Sequence, residues 1–259
     1  MILTIDAGNT NIAVGLVDEQ RLVYHWRLAS KTQRTPDEVL LHLRELFSFD
    51  EVDRSQISAA VISSVVPALT RAVRDGVARL LDRDPIVVSA DLPLPVTIRT
   101  DDPSQVGSDL IANAVAGYRI AGGAAGVVDF GTALTFTSVD DEGCVRGVAI
   151  APGLSTSVDS LFSRTAALAS IDLSPPDRYI GTSTTASLRA GIVYGYAGMV
   201  EALVAGTLRE LEPLEPLVLA TGGEAALIAD RCSNVTRVEP WLTLRGLYEI
   251  GLHNSPGPA

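Results

Sequence analysis

Lysine is almost missing from this chain: among 20 basic residues Lys31 is the only lysine. A Walker A loop needs a Gly-Lys-Ser/Thr ending and a protein-kinase-type site needs a strand lysine after its Gly-rich loop, so both are excluded. Schiff-base chemistry through a lysine is disfavoured on the same ground. Any bound nucleotide must have its phosphates held by backbone amides, hydroxyls and a metal. Cysteine is nearly as scarce. Cys144 and Cys232 cannot build a disulfide framework, and with only His25, His42 and His253 they supply no zinc cluster, so a reducing, cytoplasmic compartment is expected. Long apolar runs are lacking too: the stretch from Ile57 to Leu69 is broken by Ser58, Ser63, Ser64 and Pro67. A membrane span needs roughly 18 consecutive apolar residues, so no membrane association is expected. The opening MILTIDAGNT has no positively charged n-region and reads as a strand, not a signal peptide. Positive charge is in deficit, with 31 acidic residues and a net charge of −11, which makes nucleic acid an unsuitable partner.

What is present is a globular composition, 47% hydrophobic and 20% charged. A chain of 259 residues accommodates one large domain or two lobes of about 100–150 residues. A weak repeat favours two lobes. Ile2–Asp18 and Gly126–Asp141 both read strand, Asp-x-Gly-x-Thr turn, strand, acidic turn, with Asp6, Gly8 and Asp18 matching Asp129, Gly131 and Asp141 at one constant offset. Between the hairpins, Thr35–Phe47 has a helix start with Thr35 as N-cap, Pro36 at N1 and Asp37 and Glu38 in the first turn. A buried strand over Ile57–Val65, an amphipathic helix over Pro67–Leu81, a short strand at Ile86–Ser89 and a helix over Asp109–Ile120 follow. This alternation predicts an α/β fold with a mostly parallel sheet covered by helices. The lobe boundary is expected after the last of these helices, giving lobes 1–120 and 121–259. In the second half we expect a strand at Val145–Ile150, a helix after the Pro152-Gly153 turn running to Leu168, a long helix over Thr182–Leu211, a strand entering Thr221-Gly222-Gly223, and a terminal helix over Trp241–Leu252.

Three turns could carry chemistry. In the first, Asp6, Gly8, Asn9, Thr10 and Asn11 offer exposed amides and short polar side chains to phosphate oxygens, with Asp6 placed to hold Mg²⁺ directly or through water. Its repeat, DFGTALT, offers Asp129, Gly131, Thr132 and Thr135. The strand-Gly-Gly-helix segment Thr221–Glu224 suits an adenosine. An ordinary hairpin would also favour Asn and Gly, so each turn alone is weak and the three in order are stronger. Asp109 stands at a helix start, where it caps the helix or serves as a base toward an alcohol beside a γ-phosphate.

Taken together and in order, IDAGNTN (5–11), DDPSQVGSDLIANA (101–114), VVDFGTALTF (127–136), APGL (151–154), IGTST (180–184), GIVYGYAGMVEAL (191–203), ATGG (220–223) and EPWLTLRGL (239–247) resemble the type III pantothenate kinase family along nearly the whole chain. The resemblance implies the acetate and sugar kinase, Hsp70 and actin superfamily: two ribonuclease-H-like lobes, each a mixed sheet flanked by helices. It implies ATP-dependent phosphorylation of pantothenate, the first step of coenzyme A synthesis. By position, Asp6, Ala7, Gly8, Asn9, Thr10, Asn11, Ile12 and Ala13 would form the first phosphate loop and Thr132 the second contact. Asp109 would be the base, and Gly107, Ser108, Asp109, Leu110 and Thr184 would line the pantothenate site. Asp129 would bind the monovalent cation, K⁺ or NH₄⁺, used beside Mg²⁺-ATP. A homodimer with its pantothenate pocket at the subunit interface is also implied, and suits the glycine-interrupted helix near Gly195.

Two positions depart from the family pattern. Gly107-Ser108-Asp109-Leu110 stands where Gly-Ala-Asp-Arg is usual, and Thr100-Asp101-Asp102-Pro103 where Tyr-Asp-Asn-Pro is usual. Losing an arginine beside a substrate carboxylate costs about 1.5–3 kcal/mol unless another cation replaces it. On that reading Leu110→Arg lowers the KM for pantothenate. The same departures define the alternatives: a non-catalytic or regulatory relative, or a kinase of a different small alcohol.

Overall fold

The computed structural model describes residues 1–164, 172–212 and 214–255. In chain order the elements are β1 (Ile2–Ala7), β2 (Asn11–Asp18), β3 (Arg21–Ala29), α1 (Pro36–Phe49), β4 (Ala59–Ser64), α2 (Pro67–Leu81), β5 (Ile86–Val87), β6 (Thr97–Ile98) and α3 (Ser108–Ala121). There follow β7 (Ala125–Phe130), β8 (Ala133–Val139), β9 (Cys144–Pro152), α4 (Leu154–Ser163), α5 (Thr184–Glu210), β10 (Leu217–Gly222), α6 (Ala225–Ile228), β11 (Arg237–Val238) and α7 (Leu242–Asn254). The predicted helix after Gly153 is described to Ser163, and residues 165–168 of that expectation lie outside the described residues.

The chain divides into two compact units, Met1–Ala116 together with the segment from Leu242 onward, and Gly117–Trp241. This differs from lobes at 1–120 and 121–259, because the terminal helix joins the first unit. Strand periodicity supplies the reason. Leu3, Ile5 and Ala7 of β1 point into the core formed with α1 and α2, through Val39, Leu43, Phe47, Leu69, Val73 and Val77. Ile2 and Thr4 point to the other face, which needs its own cover. Helix α7 provides it, with Gly251 against Ile2 and Val61 and with Leu244 reaching Gly15.

The first sheet has the order β3-β2-β1-β4-β5, antiparallel from β3 to β1 and parallel from β1 to β5. It is mixed, as the superfamily implies, and less parallel than the bare alternation of elements predicted. Strand β3 had no counterpart in the sequence reading; the β2–β3 turn runs through Glu19 and Gln20, whose φ values of 43° and 67° lie in the left-handed region without a glycine to announce it. Helix α1 starts as predicted: Thr35 Oγ1 accepts from the Glu38 amide at 3.3 Å, and Glu38 Oε2 accepts from the Thr35 amide at 2.7 Å, a reciprocal capping box.

In the second unit the strands lie in the order β9-β8-β7-β10-β11, with β7–β8–β9 antiparallel and β7–β10–β11 parallel. The offset of 123 that linked Asp6 to Asp129 carries Ile2–Ala7 onto Ala125–Phe130, so the repeat read from sequence is a repeat of sheet topology. Helix α5 has 27 residues and a mean hydropathy of 1.3 over its most apolar window, long and apolar enough to cross a membrane by composition alone. Ala190, Val193, Ala197, Val200 and Val204 are its buried stripe at 3–4 residue spacing, and all but Ala190 join the core around Val128, Phe136 and Val218. On the open face, added Cβ atoms at Gly191, Gly195 and Gly198 would touch nothing within 4 Å.

Candidate active site

Each unit places an aspartate next to last in its central strand. In the first, Asp6 is the penultimate residue of β1, and the turn after it closes when the Gly8 amide donates to the Asn11 carbonyl at 3.0 Å. Ser30, just after β3, braces that turn: its amide donates to Thr10 O at 2.9 Å and its hydroxyl to Gly8 O at 2.5 Å. Asn9, Thr10 and Asn11 are exposed, whereas the side chains of Ala7 and Ile12 lie in the core. Within the predicted loop Asp6–Ala13, those two residues have only backbone to offer a ligand. Thr10 and Asn11 add hydroxyl and amide groups to the exposed main chain.

Asp6 lies beside Ser63 in the parallel register of β1 and β4. Ser63 Oγ and Ser108 Oγ are 3.0 Å apart, and the Ser64 amide donates to Ser108 Oγ at 2.9 Å. The start of α3 is thereby tied to the end of β4, and Asp109 comes to the same end of the sheet as the first turn. Asp109 Oδ1 accepts from the Leu110 amide at 2.8 Å. Burial holds its carboxyl above the ordinary value of 3.8, against the lowering by the Leu110 and Asp109 backbone amides. Gly107 fits because it has no side chain: a Cβ there would lie 2.5 Å from Asp109 Oδ1. Asp102, upstream, caps the short turn Pro103–Gln105 by accepting from Ser104 N at 3.0 Å and Gln105 Nε2 at 2.8 Å.

Leu110 is only 8% exposed. Little of it is open to solvent, so a larger arginine there must displace neighbouring atoms. The expected gain from Leu110→Arg is therefore replaced by an expected overpacking cost of about 1–3 kcal/mol.

In the second unit Asp129 lies beside Thr221 in the register of β7 and β10, the same relation as Asp6 to Ser63. Gly131 and Thr132 are exposed at the turn, whose carbonyl at Thr132 accepts from the Gly153 amide at 3.1 Å and from Thr156 Oγ1 at 2.7 Å. The APGL and ATGG turns close on it. A Cβ at Gly153 would overlap the Gly131 carbonyl oxygen, and one at Gly222, whose φ is +94°, would lie 2.6 Å from Asp129 Oδ1 and 2.5 Å from Phe130 O. Glu224 Oε1 accepts from the Ser155 amide at 3.2 Å and from its hydroxyl, linking the two turns. Thr184 opens α5, exposed, one residue after Ser183 caps the helix through the Ala186 amide at 3.2 Å.

A family model described as type III pantothenate kinase matches residues 2–206. The chain belongs to the type III pantothenate kinase family. It is 42% identical over 255 residues to the type III pantothenate kinase of Moorella thermoacetica, covering 98% of this chain and all of that one. Among solved structures it resembles a Baf-family transcriptional activator from Campylobacter jejuni, at 18% identity and TM-score 0.59, with 97% and 98% of the two chains covered. It also resembles a ROK-family glucokinase from Streptomyces griseus solved with glucose and AMPPNP, at 15% identity and TM-score 0.53, with 95% and 97% covered. These likenesses show the actin-like ATPase fold that the family resemblance implied.

The family model of type III pantothenate kinases takes in the first turn, Asp109, the second turn and Thr184, and the full-length relative extends the match across the ATGG turn. Sequence reasoning missed Ser63 and Ser64, which entered it only as breaks in an apolar run, and the Ser155–Glu224 link. The signal for the first was legible: two serines closing an otherwise apolar strand are groups that need partners once buried. The residues also suit hard cations. The described residues contain no group of three His, Cys, Asp or Glu that would cage a metal alone, but Asp129 Oδ1 and Phe130 O flank the space a Cβ at Gly222 would fill. Oxygen donors of that kind fit a cation shared with phosphate oxygens and water.

Proposed function

We propose that this chain transfers the γ-phosphoryl group of ATP to the primary hydroxyl of pantothenate, with Asp109 as the general base. The observation that carries the assignment is the convergence of Asp6, the Gly8–Asn11 turn and a desolvated Asp109 at one end of the first sheet. The hydroxyl oxygen attacks the γ-phosphorus as its proton passes to Asp109, and the bond from γ-phosphorus to the bridging oxygen breaks, releasing ADP. Backbone amides at Gly8–Asn11 would hold phosphate in the first unit, and Thr132 is proposed as a phosphate contact of the second; with one lysine in the chain, positioning falls to such dipoles. Asp6 would hold Mg²⁺ and Asp129 the monovalent cation, K⁺ or NH₄⁺, which neutralise phosphate charge when bound. In the first unit Gly107 and the Ser108 backbone would line the pantothenate site, and Leu110 contributes its backbone amide to Asp109; in the second, Thr184 is proposed as a pantothenate contact.

The protein is read as a cytoplasmic homodimer: both cysteines are free and buried, and the Gly191, Gly195 and Gly198 face of α5 has room for a second helix at close range. A coupled ADP-release assay with ATP, Mg²⁺ and pantothenate, in potassium and again in sodium, tests the assignment. Turnover that needs both pantothenate and potassium is expected; folded protein with no turnover in either salt returns the choice to a regulatory relative or another alcohol.

A further inference from the structure

We infer that Ser108 is a positioning residue, whose hydroxyl fixes Asp109 to the end of β4 beside the strand that carries Asp6. The inference rests on the reading of Asp109 as the base. A serine at a helix start ordinarily accepts from an amide two or three residues ahead in its own helix. Ser108 Oγ is occupied differently: it accepts from the Ser64 amide at 2.9 Å and meets Ser63 Oγ at 3.0 Å, contacts spanning 44 and 45 residues of sequence. Ser63 is fully buried and Ser108 is 8% exposed, so water does not substitute for either bond. The network continues on the far side, where Thr70 Oγ1 of α2 donates to Ser64 Oγ at 2.8 Å. The first turn of α3 is thus held by a strand end that α2 holds in turn.

Ser108 supplies the side-chain tie at the approach to Asp109, beside the Ile111 amide that donates to the Gly107 carbonyl at 3.0 Å. Gly107 precedes it with no side chain, and the nearest upstream anchor is the exposed turn Pro103–Gln105. With Ser108 reduced to alanine, the Ser64 amide and Ser63 hydroxyl lose their shared partner and the Gly107–Asp109 segment loses its side-chain tie to β4. A displacement of about 1 Å in a catalytic group costs on the order of 100-fold in rate, and a partial shift proportionately less.

The test is steady-state kinetics on Ser108→Ala, Ser108→Thr, Ser63→Ala and Asp109→Asn in the full chain, with thermal unfolding measured beside each. Ser108→Ala is expected to lose about tenfold or more in kcat while the KM for ATP stays within about twofold, and Ser108→Thr, which restores the hydroxyl, recovers most of it. In an Asp109→Asn background, adding Ser108→Ala has no further effect on kcat. A Ser108→Ala protein that unfolds at lower temperature but keeps its kcat shows a purely structural hydroxyl and overturns the inference, while an inactive Asp109→Asn leaves the base assignment standing. Asp109→Asn with near-normal kcat overturns the base assignment itself. Should Ser108→Ala fail to fold, Ser63→Ala decides, since it removes one contact and keeps the Ser64 bond: a several-fold kcat loss supports the inference and an unchanged kcat overturns it.

Discussion

Asp109 is caught between two demands with opposite signs in pH. Its carboxyl is held above the ordinary 3.8 by burial, so protonation favours the folded state. The stability this group contributes is fully present below about pH 3.8 and is lost as pH rises through the raised folded value; above it, the ionised and desolvated carboxylate is a standing cost. Activity needs the ionised form, so kcat/KM for pantothenate is expected to fall on the acid side at a pH above the usual carboxylate range. A pH–rate profile checks this, and Asp109→Asn, which removes the charge and keeps the shape, is expected to match or exceed the parent in thermal stability near neutrality while losing most turnover. Gly107→Ala should lower kcat about 10- to 100-fold with little change in unfolding temperature, because its methyl would meet the flexible end of Asp109 and not backbone. At this scale the sequence named Asp109 and its neighbours but not the burial of Leu110: a motif position marks what a residue stands beside, and how far its side chain is covered depends on helix phase and on which helices cover the sheet.

Helices and strands announced themselves wherever local chemistry sets them. Thr35-Pro36-x-Glu38 is a complete N-terminal signal, and α1 and α2 begin where it and Pro67 require. Strand β3 did not announce itself, since its turn relies on two non-glycine left-handed residues and its side chains alternate between exposed and half-buried. The partner of α7 was also invisible, because its apolar face fits any uncovered sheet. The structure identifies that partner through Gly246, where a Cβ would overlap the Ala112 carbonyl of α3. Gly246→Ala is expected to destabilise the first unit by about 3 kcal/mol, as helix backbone cannot yield the way a side chain does; a denaturant titration measures it. By contrast Gly15→Ala meets only methyl ends of Leu22 and Leu244 and the Thr4 hydroxyl, and should cost less.

For the whole molecule, the repeat offset was the most informative thing in the sequence, because it fixed two copies of one sheet topology before any strand pairing was known. It could not reveal that the copies differ in continuity, since contacts between chain ends leave no local trace. Oligomeric state is the prediction that belongs here. Light scattering should give twice the 27.3 kDa chain mass, and Gly195→Trp, whose Cβ would have open space around it, should halve that mass without unfolding the protein.

The helix that closes the first unit is translated after the whole of the second. Residues 117–241 form an unbroken stretch able to fold while translation continues, but the sheet begun at Ile2 waits for Leu242–Asn254 before its second face is covered. During that interval Ile2 and Val61 lie on an uncovered apolar face. A stop codon anywhere ahead of residue 242 would therefore leave one face of the first sheet uncovered with every residue proposed for catalysis already in place.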